Sequence, residues 1–229
     1  MYQNKTFLAI IPARGGSKRL PRKNVADLCG KPLIAWSIEA GLKSKYIDKV
    51  VVSSDDEEIL NTASKFRIDT IKRPDRLASD TATSFDAIKH VLSISKNYDY
   101  VVLLQPTSPL RNNKHIDKAI KLLEQKNADA IISVCEMDHS PLWSNTLQED
   151  GALDTFLRDS VSDKRSQELE KYYRVNGAIY ICKLDKLLKE ESFFLKENIY
   201  AYIMNRASSV DIDEQIDLDF ARVLAKNTS

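Results

Sequence analysis

Short apolar segments alternate with helix-like segments along most of the chain, and this alternation constrains the fold more than any other feature. Four apolar runs have the length of buried strands: 7–12, 49–53, 100–104 and 128–134. Three segments between or after them space their apolar residues as helices do: 32–43, 84–95 and 114–126. Parallel strands need long crossover connections, usually helices, so this order predicts an α/β domain with a mostly parallel sheet flanked by helices. We expect a single domain over residues 1–229.

A basic turn that contains two glycines follows the first apolar run. Gly15 and Gly16 allow the backbone to approach a ligand closely. Five side chains supply positive charge: Arg14, Lys18, Arg19, Arg22 and Lys23. A run of charges by itself is more often a solvated loop. Ligands of open α/β sheets bind beyond the carboxyl ends of strands, however, so the position of this turn favours a site for a nucleoside triphosphate.

Two common phosphate-binding motifs are absent from the chain. A P-loop needs a glycine, four residues and then Gly-Lys-Ser/Thr, whereas Gly30-Lys31 is followed by Pro32 and has Val25 at the first glycine position. The dinucleotide motif Gly-x-Gly-x-x-Gly is missing as well, because the two glycines of the basic turn are adjacent. The sequence therefore supports neither a motor-type ATPase nor an NAD enzyme.

Composition excludes several further classes. The chain has 34 Lys and Arg against 33 Asp and Glu, and this net charge of +1 gives no reason to expect a nucleic-acid or membrane-surface partner. No apolar run approaches the roughly 20 residues of a membrane helix, and the first residues lack a secretory apolar region, so we expect a cytoplasmic protein. The three cysteines and three histidines are scattered without the spacing of a zinc or redox site.

Two acidic segments are candidates for metal binding. In an extended segment, successive side chains point to opposite sides, so Asp211 and Asp213 face one way and Ile212 the other. On spacing alone these carboxylates could equally cap the helix that follows. Mg²⁺ is usually held by one or two carboxylates plus substrate phosphates, so the basic turn favours a Mg²⁺ site. Residues 55–58 are also acidic, but they suit the N-terminal end of a helix better than a metal.

The periodicity breaks between residues 138 and 173 before strand-like and helix-like segments resume. The apolar residues of this stretch, among them Trp143, Phe156 and Leu157, are scattered among polar ones, and the stretch ends in a charged run. Long excursions from a compact domain often carry function. We interpret residues 138–173 as an inserted lobe that packs on the core or forms a dimer interface, with dimerisation favoured.

Several strings, taken together and in order, resemble one family. They are Ala13-Arg-Gly-Gly-Ser-Lys with Pro21-Arg-Lys-Asn24, Arg73-Pro with Leu77-Ala-Ser-Asp-Thr81, Leu104-Gln-Pro-Thr-Ser-Pro-Leu-Arg111, Asn176-Gly-Ala-Ile-Tyr180, Phe193-Phe194 and Asp211-Ile-Asp213. This pattern resembles the acylneuraminate cytidylyltransferases and covers nearly the whole chain. The resemblance implies a Rossmann-like nucleotidyltransferase fold. It also implies transfer of a cytidylyl group from CTP to a nine-carbon 2-keto acid sugar of the N-acetylneuraminate or legionaminate type, with release of pyrophosphate.

The resemblance also implies roles for individual residues. The nucleotide contacts would be Ala13, Arg14, Lys23, Asn24, Arg73 and Ser84. The sugar contacts would be Gln105, Arg165, Tyr180, Phe193 and Phe194. Catalysis would depend on Arg14, Lys23, Asp211 and Asp213, the last two as Mg²⁺ ligands. Without the resemblance, Phe193 and Phe194 would be interpreted as core residues.

No His, Cys or Lys stands out as a general base. We therefore hypothesise that metal coordination lowers the pKa of the sugar hydroxyl, and that Arg14, Lys23 and Mg²⁺ share the charge of the transition state.

The inserted lobe departs from the family pattern. There the family carries an Arg-Arg-Gln-x-Leu-Pro segment that reaches the site of a neighbouring subunit, which implies a homodimer. This chain has Ser166 and Glu170 in place of the second arginine and the proline. Arg165 or Lys164 is left to supply the contact with the acceptor sugar.

Two alternatives remain beside this assignment. One is nucleotidyl transfer to another sugar such as Kdo, whose cytidylyltransferases resemble the chain at the first turn but differ after the central strand. The other is a nucleotide-binding module without catalysis, which the retained pair Asp211 and Asp213 disfavours.

Overall fold

The structure is a computed structural model that describes residues 2–78, 83–158 and 160–226. Residues 79–81 of the family-like strings lie outside this described part. The strands are β1 (Phe7–Pro12), β2 (Asp27–Leu28), β3 (Lys31–Pro32), β4 (Lys49–Ser54), β5 (Asp69–Lys72), β6 (Tyr100–Leu103), β7 (Ala130–Glu136), β8 (Tyr173–Lys183) and β9 (Ile199–Met204). The α-helices are α1 (Leu33–Lys43), α2 (Glu57–Ser64), α3 (Ser84–Ile94), α4 (Asn113–Gln125), α5 (Leu184–Glu190) and α6 (Gln215–Lys226).

Within the described residues, seven strands form one sheet in the order β5-β4-β1-β6-β8-β7-β9. Strands β5, β4, β1 and β6 run parallel to one another, and β7 is parallel to β9. Among the described strands of this sheet, β8 alone is antiparallel to both of its neighbours, β6 and β7. The predicted mostly parallel sheet flanked by helices is therefore confirmed.

The core lies on both faces of this sheet. Phe7, Ala9 and Ile11 of β1 pack in one apolar cluster with α1, α2 and α4, whereas Leu8 and Ile10 pack in a second with α3 and α5. All five side chains are fully buried, which explains why β1 is a continuous apolar run instead of an alternating one. Periodicity alone located the strand because both of its faces needed apolar residues.

Two elements escaped the sequence analysis. The edge strand β5 carries only one buried side chain, Ile71, and thus lacks an apolar run. The pair β2 and β3 is a two-residue hairpin before α1. Both are too short or too polar to give a periodic signal.

The predicted lobe at residues 138–173 has little regular structure. Its described residues contain two short 3₁₀ helices, Pro141–Trp143 and Ser166–Glu168, before β8 begins. Leu147, Leu153 and Leu157 are exposed. The lobe thus presents apolar surface to solvent, while its role in dimerisation stays a prediction.

No helix in the described part of the chain combines the length and apolar character that crossing a bilayer requires.

Candidate active site

A cleft of about 560 Å³ opens at the carboxyl edge of the sheet. The chain moves outward from β1 to β4 and β5 on one side and places β6 on the other, so the order of strands reverses beside β1. Ligands of open α/β sheets bind at such reversal points. The cleft is lined by the turn after β1, the segment after β5, the start of α3, the segment after β6, and Asp213.

The glycine turn after β1 is fixed by the acidic segment 55–58. The backbone N–H of Gly15 donates to Asp55 Oδ1 at 3.2 Å. A side chain at position 15 would meet Asp56 at 2.8 Å, so this position needs glycine, whereas Gly16 faces open space. Asp56 itself caps α2 by accepting from Ile59 N–H at 3.0 Å. The acidic segment is therefore a helix start that braces the turn.

Four predicted residues form what we term the basic wall: Arg14, Lys23, Asn24 and Arg73, all of which line the cleft. Buried Asn24 donates from Nδ2 to the Arg14 carbonyl at 2.9 Å, which fixes the backbone that carries Arg14. Ser84, the first residue of α3, lines the cleft beside them. Ala13 lies behind this wall, buried, with its N–H bonded to the Ser53 carbonyl.

Arg73 is aimed into the cleft with hydrogen-bonding capacity unused. It is 5% exposed, and its Nε and Nη2 have no hydrogen-bond partner among the described residues. Asp55 Oδ1 approaches Nη2 only to 3.6 Å. Burial lowers the pKa of this guanidinium, while Asp55 opposes that shift. Buried donors are almost always satisfied, so Arg73 is arranged to bond an acceptor that enters the cleft.

The late acidic pair meets the early basic turn. Lys23 Nζ donates to the Ile212 carbonyl at 2.7 Å and to Asp213 Oδ1 at 3.0 Å, although about 190 residues separate them. Arg19 also pairs with Asp213 at 3.0 Å. Ile212 is fully buried, whereas its two neighbours in the chain, Asp211 and Asp213, face away from the core. The alternation expected from the sequence is present.

Asp211 and Asp213 contact partly different surroundings. Asp213 lines the cleft, and it also lines a second cavity of about 710 Å³ together with Asp211 and Arg174. Burial raises the pKa of Asp211 and the charge of Asp213 adds to that, while a hydrogen bond with Thr107 and the charges of Lys23 and Arg174 act against it. The pair therefore stands where the two cavities meet.

The donor set of this pair suits Mg²⁺. The described residues contain no cluster of three or more His, Cys, Asp or Glu side chains able to hold a metal by themselves. A carboxylate in the basic cleft with a second one beside it matches the way Mg²⁺ is held when substrate phosphates complete its ligands. Asp211 and Asp213 would be the protein's share of such a site.

The remaining predicted sugar contacts form what we term the aromatic wall: Gln105, Tyr180, Phe193 and Phe194. Tyr180 lies against both phenylalanines, with ring centroids 5.7 Å and 6.4 Å away. Burial raises the pKa of the Tyr180 phenol and the charge of Asp211 raises it further, which places this ring near the acidic pair. Phe193 is 8% exposed and Phe194 is 57% exposed, so only Phe194 is freely available to a ligand.

Gln105 is the member of the aromatic wall that lines the cleft. Its Oε1 lies 2.6 Å from where a side chain at Gly177 would begin, and Asp211 Oδ2 lies 3.8 Å from the same point. Gly177 also has φ +73°, a conformation that favours glycine. Glycine at 177 therefore lets Gln105 and Asp211 approach each other.

The structure does not bring Arg165 to the cleft of its own chain. Arg165 is exposed, and its backbone N–H donates to Glu168 Oε2 at 2.8 Å. The described residues that line the two cavities near Asp213 do not include it. A role for Arg165 in sugar binding needs a second chain.

Sequence reasoning missed the part that three residues play in this site. Thr107 hydrogen bonds with Asp211, and its carbonyl accepts from Ile212 N–H at 2.8 Å. Asp55 joins the glycine turn to Arg73, and Arg174 contributes charge beside Asp211. Thr107 lies inside the quoted string 104–111 and Arg174 just before 176–180, but spacing gave no reason to single them out.

Comparison with known proteins decides the family. The cytidylyltransferase family matches residues 8–228. The chain belongs to this family. The resemblance drawn from the motifs is thereby confirmed, since similar proteins include acylneuraminate, pseudaminic acid and legionaminic acid enzymes.

Three relatives illustrate the range of names in the family. The chain is 40% identical over 216 residues to the N-acylneuraminate cytidylyltransferase of Escherichia coli O18:K1:H7, which covers 94% of this chain and 51% of that protein. It is 38% identical to the pseudaminic acid cytidylyltransferase of Campylobacter jejuni, with 96% of each covered. It is 34% identical to the CMP-N,N'-diacetyllegionaminic acid synthase of Legionella pneumophila, with 92% of each covered. The chain thus spans about half the length of the first relative and nearly all of the other two.

A solved structure supports the fold independently. CMP:2-keto-3-deoxy-manno-octonic acid synthetase in complex with CTP superposes with a TM-score of 0.74 over 98% of this chain and all of that one. The identity is 19%, so this likeness bears on the Rossmann-like nucleotidyltransferase fold and not on the acceptor.

Proposed function

We propose that this protein transfers a cytidylyl group from CTP to the anomeric hydroxyl of a nine-carbon 2-keto acid sugar and releases pyrophosphate. The observation that carries the proposal is the junction of Lys23 with Asp213 inside the cleft. A triphosphate and an acidic sugar repel each other, so the reaction needs cations and a metal site close to both. The basic turn and the acidic pair supply these from opposite ends of the chain.

The basic wall is suited to hold the nucleotide. Arg14 and Lys23 would bind phosphates, and Asn24 would keep the Arg14 backbone in place through its 2.9 Å hydrogen bond. Arg73 would meet the cytidine end with the donors that are unused in the free protein. Ser84, at the first position of α3, would add a contact there.

The acidic pair is suited to the reaction centre. We propose Asp211 and Asp213 as the residues that hold Mg²⁺, which when bound would offset phosphate charge and lower the pKa of the sugar hydroxyl. Lys23 and Arg19 already contact Asp213, so entry of CTP would let phosphates share these cations. Gln105 and Tyr180 lie close enough to Asp211 to orient the hydroxyl of the acceptor.

The acceptor is proposed to be an N-acylneuraminate, legionaminate or pseudaminate. Relatives named for each of these sugars are 34–40% identical to this chain. Phe194 offers an exposed apolar ring near Tyr180 for an N-acyl methyl group, and Gln105 offers an amide for sugar hydroxyls. Kdo is less favoured, because the CMP-Kdo synthetase shares the fold at only 19% identity.

We further propose a homodimer built through residues 138–173. The exposed side chains of Leu147, Leu153 and Leu157 would be covered by a second copy. The same contact would bring Arg165 of one protomer towards the cleft of the other. A cytoplasmic location also stays a prediction.

The decisive experiment is mass analysis of the product. Purified protein with CTP and Mg²⁺ is offered N-acetylneuraminate, legionaminate, pseudaminate or Kdo, and pyrophosphate is measured in parallel. We expect a CMP-sugar with at least one of the three nonulosonates. A CMP-sugar formed with Kdo alone would assign another acceptor, and CTP binding without turnover would indicate a module that does not catalyse.

A further inference from the structure

Arg111 is a buried arginine to which the mechanism gives no part. It closes the segment 105–111 that follows β6 and is 1% exposed. Burial lowers the pKa of its guanidinium to about 9, with no carboxylate of the described residues acting against that shift. Its Nη1 has no hydrogen-bond partner in the described part of the chain. Such a buried cation is expensive, and an apolar residue of similar size is often more stable in its place.

The hydrogen bonds of Arg111 join three elements. Nη2 donates to the Gln105 carbonyl at 3.1 Å and to Ser37 Oγ of α1 at 2.8 Å. Nε donates to the Ala178 carbonyl of β8 at 3.3 Å. Gln105 lines the cleft, and Ala178 directly follows the glycine on which Gln105 packs. Arg111 therefore fixes the backbone of Gln105 from the buried side of this segment.

The same segment also holds the acidic pair. Thr107 bonds to Asp211 through its side chain and to Ile212 through its carbonyl. Ser108 Oγ donates to the Asn176 carbonyl at 3.2 Å, which anchors the middle of the segment to β8. A shift of residues 105–111 would thus move Gln105 and Asp211 together.

The basic wall has a separate support. Its backbone is held by Asn24 and by Asp55, and no contact described for Arg111 reaches either. Displacement of the 105–111 segment should therefore leave Arg14 and Arg73 in place, while Lys23 stays linked to the segment through the Ile212 carbonyl. This separation gives a positioning role a distinct kinetic signature.

We propose that Arg111 is a positioning residue that sets the 105–111 segment so that Gln105 and Asp211 face the acceptor sugar correctly. The proposal rests on the proposed function. Arg111 touches no substrate and acts through Gln105 and Thr107. Burial of this charge is unfavourable, but a single guanidinium can donate to three differently placed acceptors at once, and this offsets the cost.

The test compares Arg111→Met, Arg111→Lys and a matched pair of serine variants. Ser37→Ala removes the 2.8 Å partner of Arg111 together with a 3.3 Å bond from Ser37 Oγ to the Gln105 carbonyl. Ser44→Ala removes a 2.6 Å bond between Ser44, which is also buried, and Asp117 elsewhere on the same face. Reacting groups that are misplaced by about 1 Å can lose about 10²-fold in rate, so we expect this loss in kcat/KM for the sugar in Arg111→Met. Arg111→Lys should recover part of it, and Ser37→Ala should show a smaller loss.

Two readouts separate positioning from stability. The Kd for CTP should change by a smaller factor than kcat/KM for the sugar in every variant, because the backbone of Arg14 is held by Asn24, apart from the segment. The melting temperature of Arg111→Met should stay level or rise, since a buried charge is removed. Ser44→Ala should keep kcat/KM unchanged. If Arg111→Met weakens CTP binding as much as sugar turnover, or keeps normal turnover, the proposal is overturned.

Hydrogen exchange keeps the test decisive in the remaining cases. The Ile212 amide, bonded to the Thr107 carbonyl, should exchange faster in Arg111→Met and Ser37→Ala than in wild type or Ser44→Ala. If Arg111→Met does not fold, equal kinetics and exchange in the two serine variants overturn the proposal. If wild type transfers no cytidylyl group, the proposed function fails, and unchanged Ile212 exchange would then also refute the positioning role.

Discussion

The basic wall of the cleft and the aromatic wall, which reaches the cleft through Gln105, are built differently. Buried backbone contacts fix the basic wall, where Asn24 and Asp55 hold the turn after β1 and Arg73 is enclosed. The aromatic wall is assembled from three distant segments and ends in the exposed ring of Phe194. A rigid wall suits the substrate that the family shares, and a more open wall suits an acceptor that differs between relatives. Under the proposed function, this difference assigns the nucleotide to the basic wall and the choice of sugar to the aromatic wall.

The largest expected effect falls where the walls meet. Asp213→Asn removes the negative charge that Lys23 and Arg19 contact and one proposed Mg²⁺ ligand. We expect pyrophosphate release to fall about 10³-fold at saturating Mg²⁺, because charge stabilisation at the reaction centre is lost. Asp219→Asn, which disturbs exposed contacts with Arg222 and Gln215 on α6, is the matched control. Normal turnover in Asp213→Asn would remove this residue from the metal role.

Arg73→Met tests whether the basic wall is built for a ligand. Hydrogen bonds to charged groups contribute about 1.5–3 kcal/mol, so we expect CTP to bind about 10- to 100-fold more weakly by calorimetry. The melting temperature should not fall, because the variant removes two buried donors without partners. Exposed Lys43, paired with Glu39, gives a control in Lys43→Met. Loss of stability with unchanged CTP affinity would make Arg73 a structural residue.

Gly177→Ala probes the aromatic wall from behind. The new methyl group would meet Gln105 Oε1 at 2.6 Å, so Gln105 must move and KM for the sugar should rise about tenfold. Gly30→Ala is a close control, because Gly30 has φ +86° and nothing near its missing side chain. Both variants lose about 1–2 kcal/mol of stability to the left-handed backbone. Equal sugar kinetics in the two would show that the position of Gln105 does not matter.

Phe194→Ala and Phe193→Ala separate the two aromatic neighbours of Tyr180. Truncation of buried Phe193 should lower the free energy of unfolding by about 3 kcal/mol or more, as it does for core phenylalanines. Exposed Phe194 should change stability by less than about 0.5 kcal/mol. Its loss should raise KM for an N-acyl sugar about fivefold, as expected for about 1 kcal/mol of apolar contact. Denaturant titration and sugar kinetics check both values, and unchanged KM in Phe194→Ala would exclude that ring from the acceptor site.

Much of the fold was predictable because a strand that is buried on both faces is a continuous run of apolar residues. The run at residues 7–12 is apolar at every position that two core clusters require, and the structure places β1 there. Strand β5 has no such run, because it lies at an edge of the sheet and has a single buried side chain. The antiparallel direction of β8 was also not predictable, since an apolar segment reads the same in either orientation.

The site was predictable in part for a different reason. The motifs named Lys23, Arg73 and Asp213, and all three line one cleft. The sequence could not show which of Phe193 and Phe194 is buried, because the two side chains are identical and adjacent and only packing against the core distinguishes them. The parts of Thr107 and Arg111 rest on contacts with Asp211, Ser37 and Ala178, which no spacing along the chain encodes.

The sequence by itself determined the helix-covered sheet, the basic glycine turn and the opposed faces of Ile212 and its acidic neighbours, because periodicity and local backbone chemistry act over a few residues. Only the tertiary structure decided that Lys23 meets Asp213 and that Arg111 supports Gln105. Those contacts depend on the order of strands in the sheet, and that order is set by packing among segments far apart in the chain.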